Sequence, residues 1–332
     1  MERPMKAVRF SAFGQPLKVV EVVEQPDVAL KPGEARVEVL ATPINPSDIL
    51  TLSGQYGQLP KLPAVPGNEG VGRVVEVQDS SAVKVGDIVF LPLGAGTWCT
   101  HLVAPADSLL RVPPGTDLRQ AAMLFINPPT ADLLLRDFIA LQPGEWVIQN
   151  AANSAVGRSI ITLAKQAGFK TLNVVRREEL APELTALGAD AVLLDSDELP
   201  ERVREVTGGA KVRLAIDAVG GESTQRLGDA LARGGVVVNY GAMSGKGPRL
   251  SAAATIFKDI TLRGFWLVTW TKKTPREEQG ALFARLAKQV AEGALHVPVE
   301  GTFPLESIQE ALTRAMEGGR AGKVLLTPNG PL

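Results

Sequence analysis

The chain is poor in the residues that disulfide and metal chemistry require. Its 332 residues contain one cysteine, Cys99, and two histidines, His101 and His296. A single cysteine excludes an internal disulfide and any cysteine-based metal cluster. Two histidines leave a multi-histidine metal site without ligands. Tyrosine is nearly as scarce, with only Tyr56 and Tyr240. Charge of one sign is also lacking: 35 Lys and Arg balance 36 Asp and Glu, for a net charge of −1. That balance lacks the basic field that nucleic acid or an anionic membrane surface would attract. No apolar run reaches the roughly eighteen residues of a membrane-spanning helix. The start, MERPMKAVRF, has neither the apolar centre of a secretory signal nor the Arg/Ser-rich pattern of a transit peptide. These absences lead to the expectation of a cytoplasmic protein without nucleic-acid or membrane partners.

What is present fits two globular domains. The apolar share is 45% and the charged share 21%, ordinary for a packed protein of this length. Over the first 120 residues or so, MKAVRFSAFG, LKVVEVVEQP, EARVEVLATPIN, GVGRVVEVQD, DIVFLPLG and WCTHLVAPA read as short strands between Gly, Pro and Asp. They suggest a small antiparallel, barrel-like domain. From about residue 118 the period changes. LRQAAMLFINPPTADLLLRDFI has helical spacing broken at Pro128 and Pro129. Strands WVIQNA, TLNVV, AVLLD, VRLAIDAVGG, VVVNYG and DITLRGFWLVTW then alternate with helices, which implies a parallel sheet covered on both faces. A long amphipathic helix follows Trp270, and the final strand GKVLLTP is expected to return to the first domain. That path would place a ligand site in a cleft between domains.

The most informative stretch is Glu145–Gly168, EWVIQNAANSAVGRSIITLAKQAG. It reads as a strand, a turn of small residues and an amphipathic helix, the opening unit of a dinucleotide-binding fold. The glycine fingerprint is degenerate, since Ala151, Ala152, Asn153, Ser154, Ala155 and Val156 lead to a lone Gly157. Context carries the reading, not the pattern. Asn153 and Ser154 add side-chain donors that a glycine turn lacks. About twenty residues on, where an NAD site places an acid on the ribose, stand Arg176 and Arg177. A guanidinium matches the 2′-phosphate of NADP(H) bidentately. Glu178 follows directly, and would favour NADH if it met the ribose hydroxyls instead. A plain βαβ unit with two solvated arginines is the competing reading. Tyr240, Gly241, Ala242 and Met243 end another strand of the same sheet, at the edge where ligands bind.

The motifs VPGNEGVGRVVEV, VKVGDIV, NAANSAVG and the terminal GKVLL together resemble the medium-chain dehydrogenase/reductase superfamily over essentially the whole chain. The resemblance implies an α/β protein: a Rossmann-type, doubly wound NADP(H)-binding domain over 123–270, and a GroES-like β-barrel catalytic domain over 1–122 with 271–332. The superfamily's zinc enzymes use an early Cys and a Gly-His-Glu motif. Here Ser47 and Gly67-Asn68-Glu69 stand in those places, so the zinc-independent branch is implied. NPSDILTLSGQYGQLPKLPAVPGNEGVG, NAANSAVGRSIITLAKQ and IFKDITLRGFWLVTW look like the mitochondrial-type trans-2-enoyl-CoA/ACP reductases.

That resemblance implies NADPH-dependent reduction of an activated C=C bond in an enoyl thioester, carried by CoA or acyl carrier protein. Tyr56 is then the proton donor or oxyanion partner, although a loop tyrosine packed on Pro60 or Pro63 is the plain alternative. Asn45 lies near the nicotinamide, unless it only starts an Asn-Pro turn. Phe265, Trp266, Leu267 and Lys323 contact cofactor or acyl chain, the aromatic pair serving equally well as core. A quinone or enone oxidoreductase is the competing activity. A non-catalytic nucleotide-binding protein, crystallin-like or redox-sensing, is the competing class. A homodimer joined edge to edge around residues 260–267 is also implied. Cys99 and His101 read as a satisfied β-domain pair on one strand face.

Overall fold

The computed structural model describes residues 5–332. They form two compact units. One runs to Ile126 and resumes at Phe283; the other is Asn127–Leu282. Residues 123–126 thus sit with the β-rich unit, and residues 271–282 with the α/β unit.

In the α/β unit six parallel strands lie in the order Ala191–Leu194, Lys170–Val175, Trp146–Gln149, Val212–Asp217, Val236–Asn239 and Thr261–Gly264. The order reverses at Trp146–Gln149, which opens a crevice at the strand carboxyl ends. Trp146, Ile148, Leu172 and Val174 pack on one side with Leu199, Val203 and Leu227. On the other side Val175 meets Ile161 and Leu184. Burial on both faces is why these strands read as unbroken apolar runs.

In the β-rich unit a seven-membered sheet places the last strand, Lys323–Leu326, antiparallel to Glu34–Pro43, with Leu326 opposite Thr42 and Leu325 opposite Pro43. The return of the tail brings Lys323 beside the residues that follow Pro43. A short helix, Pro46–Leu52, opens there with Pro46 in its first turn, where the missing N–H costs no bond.

Three local expectations change. Pro128 and Pro129 do not break a helix; they sit in the first turn of Asn127–Arg136, after a separate turn at Leu118–Ala121. LKVVEVVEQP starts as a helical turn, Pro16–Val19, before strand Val20–Glu24. DITLRGFWLVTW is strand only over Thr261–Gly264, and helix from Leu267 to Lys273. The neighbouring strand ends at Asn239, whose carbonyl takes the Phe265 N–H. Beyond that point no ladder partner remains, and the backbone turns helical to satisfy its own groups.

Candidate active site

The turn after strand Trp146–Gln149 is built for close approach. Ala151 adopts a left-handed φ of 47°, a conformation that a side chain disfavours. A Cβ on Gly157 would lie 2.5 Å from the Ala152 carbonyl oxygen, so glycine is required for the helix to seat on the turn. Ser154 caps that helix, its Oγ accepting from the Gly157 N–H at 3.1 Å. Buried Gln149 donates from Nε2 to the Gly157 carbonyl at 2.9 Å and to Asn173 Oδ1 at 2.8 Å. Arg158, itself buried, donates to the Asn153 carbonyl at 3.3 Å and pairs with Glu183. Small side chains, a tight turn and a capped 12-residue helix N-terminus suit a dinucleotide pyrophosphate.

Beneath the turn lies Asp217, which has no solvent exposure. Its Oδ1 accepts from Asn150 Nδ2 at 2.6 Å and from the N–H groups of Val219 and Gly220 at 3.0 and 3.1 Å. Its Oδ2 accepts from the Thr224 hydroxyl at 2.6 Å and Asn239 Nδ2 at 2.8 Å. One carboxylate therefore ties together the ends of three neighbouring strands. Asn150 leads into the turn, and Asn239 leads to Tyr240, whose hydroxyl hydrogen-bonds Ser154. Burial pushes that hydroxyl well above the ordinary phenol range. Arg176 and Arg177 are exposed at the end of the second strand; Arg177 meets Glu179 at 3.5 Å. Ala242 and Met243 are exposed. Ala155 and Val156 are buried. Phe265 is half-buried and packs edge-on against Phe138, 6.2 Å between centroids. Trp266 precedes the helix that begins at buried Leu267.

The β-rich unit holds a second polar group of residues. Asn45 is 2% exposed. Its Nδ2 donates to Glu69 Oε1 at 2.8 Å, and its Oδ1 accepts from Lys323 Nζ. Its backbone N–H donates to Asp48 Oδ2 at 2.7 Å, while Asp48 Oδ1 accepts from Asn68 Nδ2 at 2.6 Å. Glu69 Oε2 accepts from the N–H groups of Phe125 and Ile126 at 2.8 and 3.1 Å. Burial pushes the Asp48 carboxyl up to about 7 and raises Glu69, while it lowers the Lys323 ammonium. Asn45 and Lys323 are thus brought together, with Asp48 and Glu69 as partners that sequence reasoning did not assign to chemistry. Their signal was present as two acids in the segments between apolar strands, Asp48 in the short helix and Glu69 in the loop before Val71.

Tyr56 is half-buried, and its backbone N–H bonds the Leu50 carbonyl at 3.1 Å. Asn68, in the place of a zinc-binding histidine, offers an amide. Among the described residues no group of three or more His, Cys, Asp and Glu is gathered as a metal ion requires. The buried Cys99 thiol donates to the Gly96 carbonyl at 3.4 Å, and burial pushes it up to about 12. His101 lies in the adjoining strand, and both border a cavity of about 340 Å³ with Arg36.

Comparison with known proteins covers both units. The zinc-binding dehydrogenase family model matches residues 155–286, and the alcohol dehydrogenase GroES-like domain matches residues 31–114. The mitochondrial enoyl-[acyl-carrier-protein] reductase of Rattus norvegicus is 41% identical over 330 residues, covering 97% of this chain and 88% of the relative. Etr1p, of the Candida tropicalis 2-enoyl thioester reductase, solved with NADP and crotonyl-CoA, superposes with a TM-score of 0.89 at 28% identity, covering 98% of this chain and all of that one, 100%. A mycobacterial quinone oxidoreductase superposes with a TM-score of 0.81 at 28% identity, over 98% and 100% of the two chains. With its Rossmann-type sheet, GroES-like unit and full-length similarity to these reductases, the chain belongs to the medium-chain dehydrogenase/reductase superfamily, within the mitochondrial-type enoyl-[acyl-carrier-protein] reductase family.

Proposed function

We propose that the chain reduces trans-2-enoyl thioesters, carried by CoA or acyl carrier protein, with NADPH as reductant. The observation that carries this reading is the 41% identity to an enoyl-[acyl-carrier-protein] reductase over 97% of the chain, in a sequence that has a capped turn before helix Ala155–Gln166 and a loop tyrosine, Tyr56. NADPH, when bound, supplies the hydride that the β-carbon receives. The chain's own residues bind, orient and polarise. Asn153, Ser154 and Gly157 hold the pyrophosphate, and Arg176 and Arg177 hold the 2′-phosphate. The Tyr240–Met243 loop, Phe265, Trp266 and Leu267 line the cofactor and acyl path. As negative charge develops on the thioester oxygen, the Tyr56 hydroxyl hydrogen-bonds it or gives its proton to the α-carbon, and recovers a proton from solvent. The product is the saturated thioester.

A second reading, a quinone oxidoreductase, is supported by the similarity to the mycobacterial quinone oxidoreductase. Steady-state oxidation of NADPH, with NADH as control, separates the two. Turnover of crotonyl-CoA, lost in Tyr56→Phe while NADPH binding persists, is the expected result. Turnover of an ortho-quinone alone would move the chain to the second reading. NADPH binding with neither acceptor turned over would mark an idle nucleotide-binding protein.

We further infer a homodimer. Strand Thr261–Gly264 ends the six-stranded sheet and all four of its residues are exposed. Ile256 and Phe257 beside it in sequence are 67% and 72% exposed. An uncovered edge of this kind seeks a partner strand.

A further inference from the structure

The cluster around Asn45 contains three ionisable side chains, Asp48, Glu69 and Lys323, that are all buried. Burial of charge on this scale is expensive unless each group is paired. Here each is hydrogen-bonded, and the bonds converge on Asn45. Asn45 stands at the N-cap of helix Pro46–Leu52, and Asp48 is its third residue. The Asn45 side chain is gripped at both ends: Glu69 takes its N–H and Lys323 supplies a donor to its oxygen. Asp48 then holds the Asn45 backbone N–H. Glu69 itself is fixed, because the hydroxyls of Thr42 and Thr97 donate to its carbonyl at 2.7 and 2.9 Å. At the other end of the helix, the Leu50 carbonyl accepts the N–H groups of Gln55 and Tyr56 at 2.8 and 3.1 Å. A single rigid turn of chain therefore runs from the buried cluster to the Tyr56 loop.

We infer that Glu69 is a positioning residue for Tyr56, seating through Asn45 the short helix whose last turn holds the Tyr56 backbone. The inference rests on the reading of Tyr56 as the group that meets the thioester. Its chemistry is specific to a carboxylate. Glu69 accepts on both oxygens, from Asn45 on one and from two backbone N–H groups on the other. An amide in its place has one accepting oxygen and one NH2, so a donor must face a donor on one side.

The test is a double-mutant cycle with crotonyl-CoA, together with NADPH affinity measured by fluorescence. Glu69→Gln is expected to lower kcat about 10- to 100-fold, the scale of a misplaced reacting group, with NADPH affinity within about twofold of wild type. In a Tyr56→Phe background the same substitution is expected to change kcat less than about threefold, because the group it positions is already gone. Glu69→Asp keeps the charge and withdraws the oxygens, and carries the same cycle where the amide variant does not fold. An equal loss in both backgrounds, or no loss in either, overturns the positioning role. Full turnover by Tyr56→Phe alone overturns the reading of Tyr56 on which it rests.

Discussion

At the scale of single residues, the nucleotide turn depends on what is absent from position 157. A methyl group there would meet the Ala152 backbone, and overpacking of this kind costs about 1–3 kcal/mol. Gly157→Ala is expected to fold and to bind NADPH about tenfold more weakly, since each tenfold is about 1.4 kcal/mol; fluorescence titration checks it, and unchanged affinity would show that the turn does not carry the cofactor. Arg176 and Arg177 are exposed at the strand end, and the Arg177 ion pair with Glu179 is long at 3.5 Å. Replacing both by Ala is expected to weaken NADPH about 10- to 100-fold, the worth of charged hydrogen bonds, and to leave NADH affinity unchanged. Equal loss for both cofactors would assign the arginines no role in reading the 2′-phosphate.

At the scale of elements, the edge strand decides assembly. Thr261 and Phe265 donate their N–H groups inward, to Gly235 and Asn239. Alternation along the strand then turns the N–H groups of Leu262 and Gly264 outward. Leu262→Pro removes one outward donor and no inward one, and proline is tolerated at an edge. The expected outcome is a folded monomer by size-exclusion chromatography with light scattering, against a wild-type dimer. A dimer that survives the substitution would place the interface elsewhere. The same element shows where periodicity stops informing: IFKDITLRGFWLVTW is rich in strand formers throughout, yet it turns helical from Leu267 because its neighbouring strand has ended at Asn239. The twin prolines err the other way, reading as breakers and serving as a helix start.

At the scale of the whole molecule, the buried acids tie stability to pH. The Asp48 carboxyl is raised from its ordinary 3.8 to about 7, chiefly by burial, with Glu69 and Lys323 facing it. Between those values the folded chain binds more protons than the unfolded one, so this group's contribution to stability falls as pH rises from about 4 to about 7. Lys323 is lowered from 10.5 to about 8, again chiefly by burial, and its contribution rises with pH above that. Urea unfolding at pH 5, 6, 7 and 8 is expected to show wild type losing stability relative to Asp48→Asn up to about pH 7, by at most about 1.4 kcal/mol per pH unit. A difference independent of pH would contradict the charge state derived for Asp48.

Much of this molecule is written locally. The alternation of apolar runs and helical spacing determines a parallel sheet, because strands buried on both faces have no polar side to show. Small residues followed by Gly157 suggest a nucleotide turn, and the position of Arg176 and Arg177 after the next strand is what leads us to propose the phosphate reading. All of these are relations among neighbours in the chain. The Asp217 hub and the Asn45–Glu69–Lys323 cluster are not. Lys323 lies 278 residues from Asn45, and only the return of the last strand against Glu34–Pro43 makes them partners. An isolated Glu or Asp in a loop looks like any solvated acid, and only the tertiary structure, by burying it, demands the donors that reveal its role.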